Sequence, residues 1–272
     1  MADTAAERLE LSMVIPAFNE ARRLPESLAR VMAYLAAKPF ASEVIVVDDG
    51  SADDTADVVR VAAARWPSLR LIESAHRGKG GAVRLGILAA RGAYVAFADA
   101  DLSMPVAEFD RFTPQALGPF DLAIGSREAP GAVRYAEPQY RHLMGRVFNA
   151  LVRLLLLPGI QDTQCGFKCL SRGVALDLAR SQTIEDFGFD VELLYIASLR
   201  GYRVVEVPIP WYYVPGSRVS PVRDTITMVR DLFRIRANAR RGVYRPLAAP
   251  AAGDVPSITE APAPLPASAP KS

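Results

Sequence analysis

Apolar residues along this chain fall into short unbroken runs, separated by longer segments with helical spacing. Residues 11–15 (Leu-Ser-Met-Val-Ile), 43–47 (Glu-Val-Ile-Val-Val), 69–72 (Leu-Arg-Leu-Ile) and 93–98 (Ala-Tyr-Val-Ala-Phe-Ala) read as buried strands, being brief and rich in β-branched and aromatic side chains. Residues 121–125 and 203–207 read as two more. Between the strands, Leu24, Leu28, Val31, Met32 and Leu35 share one face of a helix with Pro25 in its first turn. Ser51 and Asp54 resemble a capping box opening a helix over 52–65, and another helix is expected over 83–90. Strands alternating with helices predict an α/β fold with a doubly wound, mostly parallel sheet. No internal repeat is visible.

Length and composition narrow the class. The 272 residues suffice for one large domain, expected over 8–243, followed at 244–272 by a Pro/Ala-rich tail expected to be disordered. Half the chain is apolar and the formal charge is only +2, which excludes a strongly basic nucleic-acid binder. Cys165 and Cys169 are too few for a disulfide framework and lack partner ligands for a metal, and two histidines argue against a zinc site. No run of about 18 uncharged apolar residues predicts a membrane-spanning helix, and Met1 to Glu10 shows no signal-peptide pattern. A cytoplasmic protein is expected.

The chemistry gathers where strands stop. The run at 93–98 ends in Asp99-Ala100-Asp101, and period two puts both carboxylates on one side of the departing chain. Open α/β sheets bind ligands at the carboxyl ends of their strands, and two adjacent anions suit a hard divalent cation, Mg²⁺ or Mn²⁺, able to hold a diphosphate. Asn19-Glu20 and Asp48-Asp49 end two further strands. Three such clusters at one edge would line a nucleotide crevice with hydrogen-bond acceptors. The stretch His76-Arg77-Gly78-Lys79-Gly80-Gly81-Ala82 offers backbone N–H groups and the Lys79 charge to an anion, although a flexible turn fits it nearly as well. Arg127, at the end of 121–125, is placed to grip phosphate bidentately, or to pair with Glu128 or Asp121.

Two helices look outward. Over 139–157, Arg146, Asn149 and Arg153 interrupt a surface of Leu143, Met144, Val147, Phe148, Leu151, Val152 and Leu154 to Leu157. That segment fits a helix lying in a membrane interface, or a core helix with one wet stripe. Over 221–241, Val222, Ile226, Val229 and Phe233 form an apolar stripe among many arginines. This helix suits an anionic membrane or a solvated face.

The motifs Val-Ile-Pro-Ala-Phe-Asn-Glu (14–20), Val-Val-Asp-Asp-Gly-Ser (46–51), Gly-Lys-Gly-Gly-Ala (78–82), Asp-Ala-Asp-Leu-Ser (99–103), Asp-Thr-Gln-Cys-Gly-Phe-Lys (162–168) and Phe-Asp-Val-Glu-Leu-Leu (189–194) together carry a resemblance. The chain resembles the family 2 glycosyltransferases of the GT-A fold, in particular the dolichyl-phosphate β-glucosyltransferases and, less closely, the dolichyl-phosphate mannose synthases. The resemblance covers residues 11 to about 240. It implies inverting transfer of a hexose from a nucleotide sugar to a polyprenyl phosphate, with UDP-glucose favoured over GDP-mannose as donor. Peripheral association with the inner face of the cytoplasmic membrane is expected.

By resemblance, Pro16, Ala17, Glu20 and Asp49 border the nucleoside, Asp99 and Asp101 bind the metal diphosphate, and Lys79 and Arg218 serve the diphosphate. Asp101, Arg127 and Arg141 would carry the reaction, with Arg141 near the lipid phosphate. The mannose synthases have a Gln where this chain has Ser103, so a water is expected to complete the metal sphere. Asp162 and Lys168 would line the acceptor side, and Asp190 or Glu192 would hold sugar hydroxyls. Two other readings stand beside this one. Transfer to a hydroxyl would need a carboxylate base such as Asp162 or Asp190. A silent sugar-nucleotide sensor docked on membranes would not need to keep Asp99 and Asp101.

Overall fold

A computed structural model describes residues 9–214 and 221–246. Its strands are β1 (Leu11–Ala17), β2 (Ser42–Asp48), β3 (Leu69–Glu73), β4 (Tyr94–Phe97), β5 (Leu122–Ser126), β6 (Val133–Tyr135), β7 (Lys168–Ser171), β8 (Val204–Pro208) and β9 (Pro210–Tyr212). Its α-helices are α1 (Leu24–Ala36), α2 (Thr55–Ala63), α3 (Lys79–Ala89), α4 (Pro114–Leu117), α5 (Gln139–Leu155), α6 (Arg172–Ser181), α7 (Phe189–Arg200) and α8 (Pro221–Arg240), and a 3₁₀ helix runs over Val106–Phe112. Seven strands form one sheet in the order β3-β2-β1-β4-β7-β5-β8, and β6 pairs with β9 beside it. The sheet is parallel except for β7, which runs antiparallel to both neighbours.

Period two in the strands explains why the sheet is covered on both faces. Val14, Ile45, Val47, Val95 and Phe97 point into one core with α3, α5, α6, α7 and α8. Met13, Ile15, Val44, Val46 and Ala96 point into a second, under α1, α2 and the 3₁₀ helix. Burying such a side chain contributes about 1.5–3 kcal/mol, so acidic groups are displaced to the strand ends. α1 obeys its spacing, with Leu24, Leu28, Val31, Met32 and Leu35 all buried.

Two expectations fail locally. Ser51 does not cap a helix: α2 begins at Thr55, and the Ser51 hydroxyl bonds the Asp48 carboxylate while accepting the Asn19 N–H at 2.7 Å. Packed structure also runs past residue 243. Tyr244 is buried and donates its hydroxyl to Glu192 Oε1 at 2.7 Å. The rest of the expected tail, 247–272, lies outside the described residues.

Topology sets the site. Winding runs outward from β1 to β3 on one side, then crosses to β4 on the other, so the switch point lies between β1 and β4. The register pairs Ala17 with Asp48 and Val14 with Phe97, which brings Asn19-Glu20, Asp49 and Asp99 out at one edge. Because β7 is antiparallel, its entering loop, residues 162–167, arrives at that same edge.

Candidate active site

Asp99 and Asp101 leave β4 on a tight turn at the switch point. Leu102 takes a left-handed backbone (φ +47), and its N–H donates to Asp99 O at 3.1 Å. The buried Ser103 donates its N–H to Asp101 Oδ1 at 3.0 Å, so it orients Asp101. Burial, then the neighbouring Asp99 charge, pushes the Asp101 carboxyl above its ordinary value. Lys79, in the first turn of α3, places Nζ 2.5 Å from Asp99 Oδ1. From the other side Gly166 abuts Asp99. A Cβ there would fall 2.8 Å from Asp99 Oδ1 and closer still to Oδ2, so any larger residue would push the Asp99 carboxylate aside.

The β1 and β2 ends are knitted together. Ala17 and Pro16 are buried, and the Ala17 carbonyl accepts the Asp49 N–H at 2.9 Å. Asp49 is buried as well. Its carboxylate accepts the N–H groups of Arg77 and Gly78, each at 2.8 Å, and lies 2.8 Å from His76 Nδ1. Asp49 therefore shapes the 76–78 loop, whose Gly78 (φ +105) sits too close to Glu185 O for any side chain. His76 stacks on Phe18, centroids 4.3 Å apart. Glu20 is half-buried and pairs with Arg23 at 3.7 Å.

The structure changes four expectations here. Arg127 does not meet Glu128 or Asp121, and its fork is not offered to phosphate. Its Nε and Nη2 donate to the two oxygens of fully buried Asp162 at 2.7 and 2.9 Å, and its N–H adds a third bond at 2.9 Å. Burial would raise the Asp162 carboxyl, but Arg127 overrides it and holds the group down at about 2. Lys168 does not line an acceptor surface either. It is fully buried, 2.5 Å from Asp190 Oδ1 and 2.7 Å from Cys165 O. Asp190 is thereby spent on Lys168 rather than on sugar hydroxyls. Glu192 is equally enclosed, accepting from Thr183, Ile184 and Tyr244.

The acceptor side is roofed by aromatics. The β6–β9 pair, with Tyr135 stacked on Tyr212 at 4.5 Å, carries Trp211 to 5.5 Å from the Arg127 guanidinium and Tyr213 to 5.5 Å from that of Arg141. Arg141 begins α5 half-buried, and its Nε has no hydrogen-bond partner. Arg127 and Arg141 thus share one aromatic arm, whereas Asp99, Asp101 and Lys79 form a separate group. Trp211 links them, lining a crevice with Asp99, Ser103 and Gly166. Arg218 lies outside the described residues.

α5 serves the core and the surface at once. Phe148 and Val152 are buried, yet Tyr140, Leu143, Val147 and Leu154 are exposed, Leu154 by 81%. Its outward face mixes these apolar side chains with exposed Gln139 and Arg146. On its edge Arg146 and Arg153 line a recess of about 240 Å³ with Glu128, Asn149 and Gln161. Of the stripe expected on α8, Ile226 and Phe233 are exposed, Val229 packs half-buried against the core beside buried Met228, Leu232 and Ile235, and the Val222 side chain lies outside the described residues. Among the described residues no helix is long and apolar enough to cross a membrane.

The donor set fits a divalent cation only in part. Among the described residues no three His, Cys, Asp or Glu side chains converge as a complete cage. Asp99 and Asp101 offer hard oxygens that repel one another, which suits Mg²⁺ or Mn²⁺ when a diphosphate and water supply the remaining ligands. Sequence reading missed Gly166 as the neighbour of Asp99 and Asp162 as the partner of Arg127. The motif at 162–168 signalled the stretch, but no local pattern indicated which charges would meet.

A model of glycosyl transferase family 2 matches residues 12–178. Dolichyl-phosphate β-glucosyltransferase of Drosophila melanogaster is 39% identical over 254 residues, covering 87% of this chain and 77% of the relative. The Homo sapiens enzyme of that name is 36% identical over 251 residues, covering 87% and 78%. Among solved structures, glucosyl-3-phosphoglycerate synthase from Mycobacterium tuberculosis, in complex with Mn²⁺, UDP-glucose and phosphoglyceric acid, aligns with TM-score 0.61 at 21% identity, covering 88% of this chain and 81% of that one. Mannosyl-3-phosphoglycerate synthase from Rubrobacter xylanophilus aligns with TM-score 0.61 at 19% identity, covering 90% and 78%. These likenesses establish the same fold.

Proposed function

The chain belongs to glycosyl transferase family 2, and from that premise we propose that it moves glucose, with inversion, from UDP-glucose to a polyprenyl phosphate of the dolichyl type. The observation that carries the reading is the state of the carboxylates. At the switch point Asp99 and Asp101 are half-buried rather than enclosed, with Asp99 paired to the Lys79 ammonium, while Asp162 is clamped by Arg127 at a pKa of about 2 and Asp190 is bound to Lys168. A carboxylate so acidic is a poor general base at neutral pH. A phosphate acceptor needs none, because its oxygen is already ionised. That oxygen forms the new bond to the anomeric carbon as the bond to the diphosphate breaks, and UDP leaves with the electron pair.

Asp99 and Asp101 would hold Mg²⁺ or Mn²⁺, which supplies Lewis-acid stabilisation to the departing diphosphate. Pro16, Ala17, Glu20 and Asp49 would border the nucleoside through the β1–β2 edge, and Arg218, outside the described residues, would serve the diphosphate. Arg127 acts as a positioning residue, since its bonds to Asp162 fix the loop that carries Gly166. Arg141, whose Nε lacks a partner under Tyr213, receives the acceptor phosphate. Peripheral docking on the inner face of the cytoplasmic membrane belongs to this proposal; the exposed apolar residues of α5 and α8 and the arginines beside them support a contact with lipid.

The test uses purified full-length protein, radiolabelled sugar nucleotides and polyprenyl phosphate in detergent. Glucose should pass from UDP-glucose into the lipid with Mn²⁺ or Mg²⁺ present, and not in excess EDTA. Full transfer in EDTA would refute the metal assignment, and transfer from GDP-mannose in preference to UDP-glucose would refute the donor.

A further inference from the structure

The Asp99 carboxylate is already held by a cation of the protein's own. Lys79 Nζ sits 2.5 Å from Asp99 Oδ1. Its backbone is fixed tightly: Gly78 packs on Glu185 O, the Gly81 N–H donates to that same oxygen at 2.9 Å, and Gly80 lies against Phe189. The ammonium itself lies 6.0 Å from the centre of the Phe189 ring. Burial alone would lower the lysine, but Asp99, Asp190 and Asp101 together hold it above its ordinary value. Asp190 is meanwhile matched by Lys168 at 2.5 Å, so the Lys79 charge is directed mainly at the Asp99/Asp101 pair.

An ammonium on Asp99 Oδ1 and a divalent cation on the Asp99/Asp101 pair would lie within a few ångströms of each other and repel, so each weakens the other's hold. The ammonium can shift on its four-carbon stem without moving α3, provided another anion takes it up. We propose that Lys79 is a built-in counter-ion which keeps Asp99 and Asp101 from binding a bare divalent cation and releases them when a nucleotide diphosphate arrives to accept its charge. This rests on the reading of Asp99 and Asp101 as metal ligands. Metal and donor then bind as a coupled pair, each raising the affinity of the other by the same factor.

The experiment is a Mn²⁺ titration of the full chain followed by electron paramagnetic resonance of free Mn²⁺, first alone and then with UDP, and a UDP titration without metal. Wild type should bind Mn²⁺ weakly alone and far more tightly with UDP. Lys79→Met should bind Mn²⁺ alone at least about tenfold more tightly, because a nearby positive charge is gone, and UDP alone about tenfold more weakly. Lys79→Arg, which keeps the charge, should retain the wild-type order. Opposite signs for the two ligands are the signature, since a structural defect would weaken both. If wild type binds Mn²⁺ with UDP but Lys79→Met leaves Mn²⁺ affinity unchanged or lowered, the counter-ion role is overturned while the metal site stands. If wild type binds no Mn²⁺ even with UDP, the metal reading and this inference fall together.

Discussion

Asp162→Asn separates a structural carboxylate from a catalytic base. The substitution keeps the shape of the side chain and removes the charge that faces Arg127. In the wild type the Arg127 guanidinium, outweighing burial, holds the Asp162 carboxyl at about 2 rather than its ordinary 3.8. At 1.36 kcal/mol per unit, the difference stabilises the folded protein by roughly 2 kcal/mol at neutral pH. Leaving a buried partner uncompensated adds to the loss, with about 3–5 kcal/mol as the usual ceiling for a broken buried pair. A destabilisation of roughly 2–4 kcal/mol is therefore expected. In urea, at a slope of about 3 kcal/mol per molar, the midpoint should fall by about 1 M.

The sign with pH is fixed by the depressed pKa. The stabilisation is fully present above the unfolded value near 4 and is lost as pH falls toward 2. The stability gap between wild type and Asp162→Asn should hence be constant above about pH 5 and narrow in acid, which denaturation followed by circular dichroism across pH 3–7 will read. Transfer kinetics supply the second arm. The acceptor phosphate has its second ionisation near ~6, so kcat/KM for the lipid should fall on the acid side of neutrality. Asp162→Asn should lower the rate through a loosened loop yet keep that acid limb. A variant as stable as wild type that loses about 10²–10⁴-fold in rate together with the limb would make Asp162 the base and refute the reasoning.

Gly166→Ala should drive Asp99 off its present position, because the added Cβ lies 2.8 Å from Oδ1 and nearer to Oδ2. Transfer should drop by about 10²-fold, the scale of a 1 Å misplacement, with the melting temperature within a few degrees of wild type; unchanged transfer would refute the contact. Leu154→Glu replaces a side chain that is 81% exposed, so stability should stay within about 0.5 kcal/mol while flotation with anionic liposomes decreases. Equal flotation of both proteins would remove α5 from the membrane contact.

What the sequence disclosed and what it hid follow from the range of the forces involved. Burial patterns are local, so β1, β2, β4 and the core face of α1 were legible from alternation and spacing alone. β7 was not, because Lys168-Cys-Leu-Ser is short and opens on a charge that only the distant Asp190 makes tolerable inside. The Ser51 cap failed for a related reason: a hydroxyl that fits a helix start locally found a carboxylate and an N–H from two strand ends instead. In the same way Arg127 has Glu128 and Asp121 as acidic neighbours along the chain, but meets Asp162, 35 residues away.

The folded partners of the acidic residues bear on the chemistry. Read along the chain, Asp49, Asp162, Asp190 and Glu192 look like groups available to a ligand. Folded, each accepts hydrogen bonds from backbone N–H groups or from charged or hydroxyl side chains of the protein itself. Stabilised by those donors, they add little to the reactivity of the crevice. The half-buried Asp99 and Asp101 differ, because Asp101 is raised by burial and by Asp99, and Asp99 is matched by a lysine on a movable stem. An edge that looks broadly acidic in sequence is in space one displaceable charge pair within a neutralised frame. Specificity for a metal diphosphate can therefore reside in two carboxylates without the surrounding acids repelling the nucleotide.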